Sequence, residues 1–143
     1  MKHRILAVIL AGPLLLGLPI IRSLRGQSCS DDEGMVKSYV QGINSLVGTV
    51  QKETLAEFQK EYHEQSCLTR INLSIGIVKS LVDCLNKAAK DPADTPAQLA
   101  AIKSKLQTYD KLESALQQDS KSLKAAKNPK AAKSLIEKFV LTV

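Results

Sequence analysis

From residue 30 onward, large apolar side chains recur at steps of three and four, the spacing of one face of an α-helix. The first stripe runs through Val36, Val40, Ile43, Val47, Val50, Leu55, Phe58 and Tyr62. Ser30-Asp31-Asp32-Glu33 precedes it with the S-x-x-E form of a capping box, so the spacing predicts a helix start there. Gly42 and Gly48 lie inside the stripe, each costing about 1 kcal/mol relative to Ala in a helix interior. A break or bend near Gly48 is therefore expected. A second stripe, Leu68, Ile71, Ile75, Val78, Val82 and Leu85, is widened by Leu73, Ile77, Leu81 and Cys84. Apolar surface that broad predicts the most buried helix of the molecule, over residues 68–89.

Thr95-Pro96-Ala97-Gln98 combines an N-cap, proline at the first helical position and capping-box spacing. It opens a third stripe, Leu99, Ile102, Leu106, Tyr109, Leu112, Leu116 and Leu123. Asn128-Pro129 repeats the start signal ahead of a short helix from Lys130 to about Val140. No run alternates with the period of a strand. Each stripe needs a partner, and short connections favour antiparallel neighbours, so the expected fold is all-α: an antiparallel bundle of four or five helices.

Residues 1–26 do not belong to that pattern. A basic start (Lys2, Arg4) and an apolar run from Ile5 to Ile21 read as a secretory signal peptide. Arg22-Ser23-Leu24-Arg25 adds the spacing of a processing site, so a short propeptide over residues 20–25 is an alternative end to this segment. Another is an uncleaved anchor over residues 5–21, although Pro13 and Pro19 weaken it as a spanning helix. The domain reading is thus 1–26 as signal and 27–143 as one helical domain in an extracellular setting.

Setting that segment aside changes the charge. The whole chain carries +6, but residues 27–143 hold 16 basic and 14 acidic residues, a net +2. The basic residues concentrate late: residues 102–143 have 9 basic and 4 acidic side chains. One arginine (Arg70) and aromatics at only 3% argue against nucleic acid, which is read with arginine and stacked rings.

Three cysteines remain in the domain: Cys29, Cys67 and Cys84. In an oxidising compartment they imply one disulfide and one leftover cysteine, which suggests either intermolecular pairing, as in a Cys-linked homodimer, or a free thiol. On one straight helix Cys67 and Cys84 would lie roughly 25 Å apart, beyond the Cα separation of about 7 Å that a disulfide tolerates. Cys29 then pairs with one of them, and a bend at Gly48 would bring it toward Cys67.

Chemistry is sparse. His63 and Cys67 share a helical face but lack the further ligands a zinc site needs. Glu57, Glu61 and Glu64 read as a solvated face, and no nucleophile elbow or phosphate loop occurs. No catalytic residue, metal or cofactor is expected. Asn72-Leu73-Ser74 is a glycosylation sequon.

Three functions are compatible with these features. The first is a secreted, non-enzymatic interaction protein with a protein partner. The second is a carrier of a small apolar ligand lined by Leu73, Ile77 and Leu81. The third is a membrane-active segment, residues 121–140, contacting anionic surfaces through Lys121, Lys124, Lys127, Lys130 and Lys133.

Overall fold

A computed structural model describes the backbone of residues 17–143 and the side chains of residues 29–143. Residues 1–16 of the expected signal segment, and with them most of the alternative anchor over 5–21, lie outside the described residues; residues 17–26 appear as helical backbone. Five helices follow one another: α1 (Gly17–Lys52), α2 (Leu55–Lys60), α3 (His63–Ala88), α4 (Pro96–Lys124) and α5 (Pro129–Ile136). The chain is all-α, and among the described residues there is no strand.

The stripes become the core. Val36, Val40, Ile43, Val47 and Val50 of α1 are buried against Ile71, Val78, Leu81 and Leu85 of α3, with Tyr109, Leu112, Leu116 and Leu123 from α4. α3 is the central element, packed on α1 along one side and on α4 along the other. Complete burial of a Leu, Ile or Val side chain contributes about 1.5–3 kcal/mol, so α3, with apolar groups on both flanks, anchors the bundle. α5 and the C-terminal tail close one end. Ala132, Ile136, Phe139 and Leu141 are buried there, and Asn44 Nδ2 donates to the Leu141 carbonyl at 3.0 Å.

Two expectations for α1 need correction. The helix runs unbroken through Gly42 and Gly48 and stops only at Lys52. The buried valines on either side keep it helical, outweighing the entropic cost of two glycines. Nor does Ser30 cap a helix, since α1 already extends from Gly17, where the described residues begin. Glu33 instead reaches α4.

The break comes at Thr54, whose side chain accepts from Glu57 N while the Glu57 carboxylate accepts from Thr54 N, a complete capping box. Leu55 and Phe58 thus belong to the short α2. Tyr62, at φ 54° in the left-handed region, turns the chain into α3. The Thr95 capping box and the Asn128 cap, which accepts from Ala131 N at 2.8 Å, form where their motifs stand.

Candidate functional site

The described surface contains a cleft of about 910 Å³ where the Cys29–Glu33 stretch of α1 and the end of α3 meet the start of α4. Its apolar walls are the Cys29–Cys84 disulfide, Leu85, Ala88, Ala101 and Ile102, and its polar rim includes Glu33, Asp91, Asp94 and Lys105. The cysteines bridge α1 and α3 with a Cα–Cα distance of 5.8 Å, within the usual range for a disulfide. A continuous α1 puts Cys29 level with Cys84, at the opposite end of α3 from Cys67.

Most of the polar groups around it are already engaged. Glu33 accepts from Lys105 Nζ at 2.9 Å and from the Tyr109 hydroxyl at 2.8 Å. Burial raises the Glu33 carboxyl, but these two bonds and the charges of Lys105 and Lys37 outweigh it and hold the group below its ordinary range. Tyr109 is pushed up in turn, by burial first and by its carboxylate partner second. Thr95 and Gln98 are spent on each other's backbone, and Asp91 Oδ1 accepts from Ala93 N at 2.9 Å. Asp94 Oδ2 is buried with no hydrogen-bond partner in the protein.

A second feature lies on the outer groove between α1 and α3. The disulfide and the bond from Arg70 Nη1 to the Gly42 carbonyl (3.0 Å) pin the antiparallel register. That register sets Tyr39 level with Leu73 and Met35 level with Ile77. Met35 (48%), Tyr39 (36%) and Leu73 (52%) are exposed large apolar residues, and Ile77 is half-buried beside the core. Toward α4, Ser120 Oγ donates to Asn72 Oδ1 at 2.9 Å. The sequon asparagine is itself exposed.

Leu73, Ile77 and Leu81 are not brought together around a cavity. Leu81 is fully buried in the core, Leu73 faces outward, and none of the three lines the cleft. The broad apolar surface of α3 is used for packing on two neighbours, so its width marks a central helix. Cys67 is fully buried and not disulfide-bonded. Burial, with the Asp119 charge adding to it, pushes its thiol up to about 12. His63 Nδ1 lies 2.7 Å from Glu53 Oε2, and no cluster of three metal-ligating side chains occurs among the described residues.

Lys121, Lys124, Lys127 and Lys130 are exposed, whereas Lys133 is half-buried and pairs with Glu137. Of the large apolar groups among them, Leu123, Ile136 and Phe139 are buried in the core, Leu135 is half-buried and Val140 is exposed.

The cleft was hidden from sequence reading because its walls come from three helices. Asp91-Pro92-Ala93-Asp94 is legible only as a turn. Thr54-Leu55-Ala56-Glu57, by contrast, carried a readable capping-box signal for α2. Comparison with protein families, curated proteins and solved structures gave no match.

Proposed function

We propose that this chain is a secreted, non-catalytic helical binding domain that recognises a protein partner through the outer α1–α3 groove. The observation that carries this reading is that Met35 and Tyr39 on α1 and Leu73 on α3 are large apolar side chains left in solvent, with Tyr39 and Leu73 at one level of the register that the disulfide and the Arg70–Gly42 bond set. Aromatic and Met side chains are enriched at such recognition surfaces, and a contiguous exposed apolar patch marks an interaction site. Secretion is supported by the basic start and apolar run of residues 1–21, and by a disulfide, which persists in oxidising compartments. No helix among the described residues is long and apolar enough to cross a membrane.

Two finer readings gain less support. A disulfide-linked homodimer would need Cys67, whose sulfur lies in the core. A membrane-active segment over residues 121–140 would offer Val140 alone as a fully exposed large apolar group, since Leu123, Ile136 and Phe139 already pack inside the bundle.

The carrier reading is favoured by a different observation than the one that suggested it. A cleft of about 910 Å³ falls within the range of about 300–1,000 Å³ typical of small-molecule sites.

The test is expression of the full chain through a eukaryotic secretory host, with crosslinking in the medium for the wild type and for Tyr39→Glu/Leu73→Glu. The expected result is a secreted monomer starting near residue 27, and a crosslinked partner lost in the double variant but kept in Lys124→Glu. Retention in membranes would refute secretion. A partner indifferent to the double variant would refute the groove.

A further inference from the structure

Asn72-Leu73-Ser74 is the one N-x-S/T sequence in the chain, and α3 treats its two ends differently. Asn72 is exposed, and its bond to α4 uses Oδ1, which accepts from Ser120 Oγ at 2.9 Å. Nδ2, the atom to which an N-linked glycan is joined, takes no part in that bond. Gly76 lies one turn further along the same face. It is also exposed, and a Cβ added there would meet no other group within 4 Å. A bulky substituent on Asn72 thus has open space along the helix. Ser74 is the opposite case: it is buried, and its hydroxyl donates to the Arg70 carbonyl at 2.7 Å. Folded α3 therefore presents the acceptor residue but hides the hydroxyl that completes the sequon.

We propose that Asn72 carries an N-linked glycan, attached while residues 72–74 are still extended and before α3 closes around Ser74. The proposal rests on the secretion reading, which brings the growing chain to the glycosylation machinery. In the transfer, Nδ2 forms a bond to the anomeric carbon of a lipid-diphosphate-linked oligosaccharide. The bond from that carbon to the diphosphate oxygen breaks, the lipid diphosphate leaves with the electron pair, and Nδ2 loses a proton. Asn72 and Leu73 are successive residues, about 100° apart around the helix. The Ser120 bond sets Asn72 on the α4 edge of the exposed face of α3, and Leu73 lies on the edge toward α1. A sugar on Asn72 therefore covers the α3–α4 flank and leaves the Met35–Tyr39–Leu73 groove open to a protein partner.

The test expresses the full chain in a eukaryotic secretory host and weighs the tryptic peptide 71–79, which follows Arg70 and ends at Lys79, before and after treatment with a peptide-N-glycosidase. The secreted chain is expected to carry a single glycan, on this peptide, and its enzymatic release should leave an acid in place of the amide. Asn72→Gln and Ser74→Ala should each remove the glycan completely. Ser120→Ala, which breaks only the bond to α4, should keep it. Cys29→Ala/Cys84→Ala, which removes the tie between α1 and α3, should carry it on at least as large a fraction of chains as the wild type. A smaller fraction would overturn attachment before folding. A secreted chain that begins near residue 27 with a bare peptide 71–79 overturns the glycan and leaves the secretion reading standing. A glycosylated chain held in membranes by residues 1–26 overturns secretion and upholds the glycan. A chain neither released nor glycosylated overturns both.

Discussion

Asp119 shows what burial does to a single residue. It sits on α4 near Cys67, and loss of hydration pushes its carboxyl from an ordinary 3.8 up to about 6. The folded chain therefore holds this proton more tightly than the unfolded chain. Its stability contribution is full below about pH 4, falls as pH rises toward 6, and stays reduced above that. Asp119→Asn, which removes the charge, should accordingly stabilise the protein at pH 7.5 by roughly 1 kcal/mol, after allowance for partial solvent screening. At pH 3.5 the two proteins should melt alike. Thermal melts at the two pH values check this, and an equal effect at both would remove burial as the cause.

Glu33 is the opposite case, a carboxylate held in its charged form by two donors from α4. Its contribution is present above the ordinary carboxylate range and is lost as pH falls through its lowered pKa. Tyr109→Phe leaves one of its oxygens without that donor, at a cost of about 1.5–3 kcal/mol, the usual range for hydrogen bonds to charged groups. Urea titration at neutral pH would read it, and a change below 0.5 kcal/mol would show solvent replacing the hydroxyl.

Among the elements, α1 stays continuous because tertiary packing outweighs local propensity. Gly48 lies mid-helix, and a Cβ added there would meet nothing within 4 Å. Gly48→Ala should therefore stabilise the bundle by about 0.5–1 kcal/mol, measurable as a higher urea midpoint at unchanged slope. A loss of stability would mean that α1 bends in solution. The end of α1 and the start of α2 depend on the Thr54–Glu57 capping box, which carries no comparable tension with packing. The start of α3 is different in kind. Tyr62 adopts a left-handed backbone that its residue type disfavours, and no local pattern signals it.

On the scale of the whole molecule, the Cys29–Cys84 bridge closes a sequence separation of 55 residues and ties α1 to α3. A loop of that length implies about 4 kcal/mol of stabilisation from the restricted unfolded chain. Cys29→Ala/Cys84→Ala should lose that much in urea titrations and, because the bridge forms a wall of the cleft, should also weaken any ligand held there. A double variant as stable as the wild type would mean that side-chain packing alone holds α1 on α3.

The sequence by itself determined the helical class, the three long stripes, the proline and threonine starts of α4, and the impossibility of a Cys67–Cys84 bridge. All of these follow from interactions within a few turns of one helix, where residue spacing is enough. Only the tertiary structure decided that Cys29 pairs with Cys84, because the choice depended on whether α1 bends, and buried valines rather than glycine propensity settle that. It likewise separated Leu73 from Leu81, one facing solvent and one in the core, although both lie on the same broad apolar helix. It also assembled the cleft around Asp94, whose walls come from three helices distant in the chain. Helix periodicity records which side chains share a face, but which neighbour covers that face, and where coverage fails, depends on how whole helices fit against one another.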